Sequence, residues 1–328
     1  MRQLLSPIAR ILASTTIRVA VALSVAPGIA VAAAPQVQTQ GPGVYRVMVG
    51  DFEVTALLDG THPFPIDTVV EGMPKADIKK DLDEDFLQPP VQGSINAFLI
   101  NTGSKLVLID AGAGSLYGPC CGRLQQNLRA AGYKPEQVDL VLLTHLHKDH
   151  AGGIAADGKM AFPNAMVRVS KQEADYWLGA GNRAQGPEFL STFFDAAVSS
   201  VQPYQAAKQF VTFDGEGEMA PGIQAFRTPG HTPGHSSYAV TSRGKTLIVW
   251  GDIVHVASLQ FRELGATVKY DSSATNAKAS RHDLFEKLAK NRALVAAAHI
   301  SFPGLGHIRK KDGKFDWVPV NYEGDPTE

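Results

Sequence analysis

Only two cysteines occur in the 328 residues, and they are adjacent, Cys120 and Cys121. Such a pair cannot staple a disulfide scaffold, and a chain this long can bury a sizeable core without one. Charge is scarce too: 19% of residues are Asp, Glu, Lys or Arg, below the roughly 25% of typical soluble domains. The signs nearly cancel, 31 basic against 32 acidic, and no basic stripe flanks any motif, which excludes an electrostatic nucleic-acid binder. Long apolar runs are missing as well. Val19 to Val31 is broken by Pro27-Gly28 and falls short of the about 20 residues a bilayer requires. With 44% hydrophobic residues the chain is not disordered. A globular protein with a packed core is left.

The first 32 residues read as a routing label. Arg2, Arg10 and Arg18 precede the short apolar run, and Ala30-Val31-Ala32 supplies a small-residue cleavage signature. Together these describe a secretory signal peptide, so the expectation is export to the periplasm or beyond. Its removal takes three arginines and moves the net charge from −1 to −4. Residues 33–328 are expected to form one domain with no membrane anchor.

Strands are expected at Val44–Val49, Phe52–Leu58, Ala97–Asn101 and Lys105–Ile109, with Asp59-Gly60 and Gly103 in turns. Proline-rich residues 61–94 read as a long loop with one helix near Lys75–Asp85. Arg123–Ala131 reads as a helix stopping at Gly132, and Val138–Thr144 as a strand buried on both faces. Helices at Lys171–Leu178 and Glu188–Ser199 follow. Strands then come at Phe210–Phe213, Ile223–Arg227, Ser237–Thr241 and Lys245–Trp250, a helix at Ala279–Asn291 and a strand at Leu294–Ala298. Two strand-then-helix halves without a linker predict an α/β domain of two packed sheets.

The chemistry concentrates in His145-Leu146-His147-Lys148-Asp149-His150, directly after an apolar strand. Three imidazoles and a carboxylate within six residues can point into one small volume, a donor set suited to zinc and similar divalent ions. Glycines at Gly112, Gly114 and Gly118 mimic a dinucleotide fingerprint, but the third comes one position late and Pro119 interrupts the helix. They read instead as the turn that brings Asp110 under the metal motif. For Cys120 and Cys121 the reading is two thiols, or one bridge to another subunit, because a disulfide between neighbours forces an unusual backbone. Neither is given a catalytic role.

The histidine motif resembles H-x-H-x-D-H of the metallo-β-lactamase superfamily. Leu106 to Gly112 resembles that family's early strand ending in a supporting aspartate, Asp110. Thr228-Pro229-Gly230-His231 resembles its next histidine motif, Gly251-Asp252 its bridging aspartate, and His299 its last histidine. The resemblance implies a four-layer αββα sandwich and two divalent metals. His145, His147 and His231 would hold one, Asp149, His150 and His299 the other, and Asp252 would bridge them. Zinc suits the set, with manganese, iron or cobalt as alternatives. His235 reads as packing behind the ligands. His307 competes with His299 for the last position, but a residue at a strand's end is better placed than one beyond a loop. His62 and His282 read as solvent-facing or at a pocket rim.

Within the superfamily, Asn101 to Leu108, Gly132 to Asp139, Ser301-Phe302-Pro303-Gly304 and Val318 to Tyr322 resemble the methyl parathion hydrolase group. That resemblance implies a substrate pocket walled by Tyr117, Trp177 and Phe193, and a possible homodimer. His255 and Tyr270 stand where the phosphotriester-cleaving members carry smaller apolar residues, so a planar lactone or aryl ester fits better than a phosphotriester. The implied reaction is attack by a metal-bridging hydroxide, with Asp149 and Asp252 as catalytic carboxylates. The expectation is a secreted dinuclear hydrolase of lactones or aryl esters with side activity on organophosphates. The alternatives are a dedicated organophosphate hydrolase and, from another class, a non-catalytic periplasmic metal-binding protein.

Overall fold

A computed structural model describes residues 34–325, so the expected signal peptide at 1–32 lies outside the described residues. The chain divides after Thr39, and Gln40 onward forms one compact unit.

Two seven-stranded sheets carry that unit, and in each the spatial order of the strands is their order along the chain. The first holds Val44–Val49, Phe52–Phe64, Val91–Asn101, Leu106–Ile109, Leu140–Leu142, Met166–Ser170 and Phe210–Phe213. Its first four strands pair antiparallel and its last three join in parallel. The second sheet holds Gly217–Ala220, Ile223–Arg227, Ser236–Ser242, Lys245–Val249, Leu294–Ala296, Leu305–Lys311 and Lys314–Pro319.

Alternation along the strands builds the layers, because successive side chains face opposite sides. Val54, Ala56, Phe98, Ile100, Val107 and Ile109 meet Tyr238, Val240, Leu247, Val249 and Leu305 between the sheets. The intervening Leu57, Leu99 and Leu108 face outward and pack under Leu124, Leu128, Val201 and Tyr204, from the helices Leu124–Ala130 and Ser191–Ala206. On the far side Ile248, Trp250 and Val295 pack against Leu284, Phe285 and Leu288 of the helix Ala274–Asn291. The result is the αββα sandwich.

Several boundaries differ from expectation. Asp59 does not sit in a turn: Leu58 pairs with Asn96 and Gly60 with Ile95, so Asp59 is the extra residue of a bulge and the strand runs on to Phe64. Both ends of the expected 61–94 loop are therefore strand, with the helix Lys75–Glu84 between them. Leu140–Leu142 is shorter than expected, because the chain leaves the sheet to build the histidine loop. Met166–Ser170, Leu305–Lys311 and Lys314–Pro319 are strands that charged residues disguise in the sequence; their arginines and lysines lie on the sheet's wetter faces. The last helix starts at Ala274, five residues early, where Ser273 caps it by accepting from the Asn276 N–H at 3.3 Å.

Candidate metal centre and active site

The centre lies where several strands of both sheets end. After Leu140–Leu142 the chain passes through His145 and His147 into the short helix Lys148–Ala151. This loop sits on the Asp110-Ala111-Gly112 segment: the Ala111 N–H donates to the His150 carbonyl at 2.8 Å, and the Gly153 N–H to that of Gly112 at 2.9 Å. A Cβ on Gly153 would collide with the Ala111 carbonyl oxygen, so glycine is required for this approach. His231 follows Ile223–Arg227, Asp252 follows Lys245–Val249, and His299 follows Leu294–Ala296.

All seven residues are buried and brought together. The Asp252 carboxylate is central: His150 Nε2 lies 3.0 Å from it, His231 Nε2 and His299 Nε2 3.2 Å, and His145 Nε2 3.8 Å. His231 Nε2 is 2.9 Å from His147 Nδ1. His299 Nε2 is 3.3 Å from His150 Nε2 and 3.7 Å from Asp149 Oδ2.

The opposite ring nitrogens are anchored outward, which fixes tautomer and aim. His150 Nδ1 donates to Asp110 at 2.8 Å, His231 Nδ1 to Asp271 at 2.8 Å, and His299 Nδ1 to the Ser94 carbonyl at 2.9 Å. His145 Nδ1 bonds the Thr144 hydroxyl at 3.0 Å, and that hydroxyl donates to Asp110 at 2.9 Å. Asp110 holds this position from a left-handed backbone conformation, φ 59°, rare for a residue other than glycine.

These donors fit metal ions. His145 Nε2 and His147 Nε2 are buried without a hydrogen-bond partner. Burial, aided by the neighbouring imidazoles, pushes His145 and His147 well below the ordinary histidine value, so both are the neutral donors that metals need. Burial also opposes a charge on His150, yet Asp252, Asp110 and Asp149 carry it well above that value. Against the cost of burial, His150, His299 and the other imidazoles hold Asp252 well below the ordinary carboxylate range.

Two supports are not legible as motifs. Glu173 is fully buried and accepts from the Leu146 N–H at 3.0 Å, the Thr232 hydroxyl at 2.7 Å and the Gly234 N–H at 3.0 Å, tying both histidine loops together. Asp271, beneath His231, is held below the ordinary carboxylate value by that hydrogen bond, against burial. Nothing in the sequence marks either; each is one acidic residue with no neighbouring ligand. His235 lies under Asp252, whose N–H donates to its Nε2 at 3.0 Å. His307 is elsewhere, half-buried on its strand with Nδ1 bonded to the Ala293 carbonyl at 3.1 Å, and His282 is exposed.

Above the cluster a cavity of about 350 Å³ is lined by Tyr117, Phe193, His255 and Tyr270, and also by His62, Phe64, Lys148 and Phe189. Trp177 corrects the expectation of a partly exposed pocket wall. It is 2% exposed and packs behind His147, ring centroids 5.0 Å apart, because the amphipathic helix Lys171–Leu178 turns it inward. A larger groove of about 750 Å³ beside Lys287 and His307 contains none of the cluster residues. Cys120 and Cys121 are free thiols, their sulfurs 2.7 Å apart.

Buried His/Asp clusters at the ends of two packed sheets, under a pocket, define a candidate dinuclear metal centre. Residues 90–299 match the family model of the metallo-β-lactamase superfamily, and the chain belongs to that superfamily. Among solved structures it is similar to the hydrolase AbOPH of the β-lactamase superfamily, at 39% identity and a TM-score of 0.83 over 87% of this chain and all of that one. It is also similar to AidC, a dizinc quorum-quenching lactonase in complex with its product N-hexanoyl-L-homoserine. There the identity is 26% and the TM-score 0.79, over 86% of this chain and 99% of that one. An N-acyl homoserine lactonase of Bacillus cereus is 25% identical over 177 residues, 54% of this chain and 62% of that protein. One of Agrobacterium fabrum is 27% identical over 179 residues, 52% and 62% of the two chains. The chain thus spans less than two thirds of these curated relatives. The matches carry the superfamily and do not single out the methyl parathion hydrolase group.

Proposed function

We propose that the chain is an exported dinuclear hydrolase of lactones or aryl esters, with phosphotriesters as a side activity. His145, His147 and His231 would hold one ion, and Asp149, His150 and His299 the other, with Asp252 between them; zinc suits these nitrogen and oxygen donors. Bound there, such ions supply Lewis acidity and bring the pKa of a water close to neutrality. The lactonase relatives support a carbonyl substrate.

The observation that carries this reading is the placement of His255. Its Nε2 lies 3.0 Å from Asp252 Oδ2, and its ring stacks on His299 at 5.5 Å and 15°. Burial lowers its pKa from the ordinary histidine value, so the ring is neutral; its single N–H faces Asp252, and the ring forms part of the pocket wall. The same ring takes up space that a second alkoxy arm on phosphorus requires. Tyr117, Phe193 and Tyr270 wall a slot in which a flat acyl or aryl group excludes water. A phenolate leaves without a proton; an alkyl alcohol needs one, and Asp149 would take the proton released by the attacking water and pass it to that leaving group.

Turnover of dihydrocoumarin, phenyl acetate and methyl paraoxon on metal-loaded protein tests the reading. Both carboxyl esters are expected to exceed the phosphotriester, and the reverse order overturns it. Export is checked by N-terminal sequencing of the secreted chain, expected to begin at Ala33.

A further inference from the structure

Lys148 is the one residue of the histidine loop that neither the ligand set nor its supports use. It is half-buried, and its Nζ sits 4.7 Å from the centre of the Tyr117 ring and 4.8 Å from that of Phe193. Both rings are themselves held: Tyr117 stacks on His62 at 4.5 Å and 27°, and Phe193 packs on His147 at 4.9 Å and on Tyr270 at 5.9 Å. The ammonium is therefore fixed between two aromatic faces on the wall of the cavity instead of sweeping through solvent. Among the described residues no carboxylate forms an ion pair with it. The aspartates nearest in the pocket, Asp149 and Asp252, belong to the ligand set, so their charge is already answered when ions are bound.

A fixed ammonium flanked by two ring faces matches one ligand chemistry. A planar group lies against the rings while an anionic substituent meets the nitrogen. We propose that Lys148 forms an anion subsite, so that the preferred substrates of this pocket are aryl esters or lactones carrying a carboxylate away from the scissile bond. This rests on the ester-hydrolase reading above and narrows its substrate class.

The test compares 4-acetoxybenzoate with its neutral methyl ester, which share acyl group and leaving atom and differ in one charge. On metal-loaded protein the ratio of kcat/KM, anionic over neutral, is expected to fall about tenfold in Lys148→Met, chiefly through KM, and to be largely restored in Lys148→Arg. It should also fall with added salt in the native protein and not in Lys148→Met. A ratio unchanged by Lys148→Met overturns the inference. Calorimetric titration with 4-hydroxybenzoate and methyl 4-hydroxybenzoate gives a second readout that needs no turnover. Tighter binding of the anion in the native protein than in Lys148→Met supports the subsite, and equal binding overturns it. If neither ester is hydrolysed but the binding difference stands, the ester-hydrolase reading fails and the subsite survives.

Discussion

His255 and His299 lie face to face, ring centroids 5.5 Å apart and planes 15° from parallel, with a carboxylate oxygen of Asp252 within 3.2 Å of both Nε2 atoms. His299 is anchored on its far side by the Ser94 carbonyl, whereas His255 has Asp252 at Nε2 and no hydrogen-bond partner at Nδ1. One ring is anchored on both sides, and the other rests on Asp252 alone and lines the pocket.

His255→Leu removes that polar ring and widens the slot. Dihydrocoumarin turnover is expected to fall and methyl paraoxon turnover to hold or rise. The phosphotriester-to-lactone ratio should increase by roughly tenfold, the order that space for one methylene in a pocket is worth. Steady-state kinetics on both substrates check it; an unchanged ratio means the ring touches neither.

Glu173→Gln places an amide N–H2 where three donors now converge. Loss of a buried charge-assisted network costs about 3 kcal/mol, and a changed support of this kind typically weakens metal affinity by about 10- to 100-fold. Urea denaturation and competition with a chelator measure the two effects. A variant that is destabilised but binds metal normally would confine Glu173 to the scaffold.

Burial lowers His235 from 6.5 to about 3. The unfolded chain takes up a proton at this residue first, so folding stability rises with pH between the two values and is lost as pH falls from 6.5 towards 3. One such group contributes a slope of up to about 1.4 kcal/mol per pH unit. His235→Gln keeps an acceptor for the Asp252 N–H and cannot titrate. Chelator-treated variant protein should show a flatter stability–pH curve between pH 4 and 6 than the native chain.

Gly153→Ala should be more damaging than its position outside the ligand set suggests. Its methyl group meets the Ala111 carbonyl, so either the histidine loop or the Asp110 turn must shift. We expect a fall in melting temperature and a loss of bound metal together, checked by calorimetry and elemental analysis.

Layers and motif positions are legible in the sequence because apolar alternation and closely spaced ligands are local signals. The four stretches carrying His145–His150, His231, Asp252 and His299 end strands or follow them as expected. What stays hidden depends on contacts between distant segments. Asp59 reads as a turn because Asp-Gly favours one; only pairing with Asn96 and Ile95 makes it a bulge, whose carboxylate then accepts from the Ala113, Gly122 and Leu124 N–H groups. Glu173 carries no local mark of burial, since its partners lie 27 to 61 residues away. Trp177 and Lys148 exchange the roles their polarity suggests, because helix phase turns the indole inward and two rings hold the ammonium at the pocket.

Since the strands follow chain order, the two sheets part at a single place, between Phe213 and Gly217. His145, His147, Asp149 and His150 lie before that point; His231, Asp252 and His299 lie after it. Neither half alone owns a complete nest for either ion. Any ion bound there is a clasp between halves, and its affinity is linked to their union: at a thousand times its dissociation constant it adds about 4.1 kcal/mol to the assembled form. A chain severed between Phe213 and Gly217 should therefore rejoin in proportion to available metal, which makes reassembly itself a gauge of occupancy.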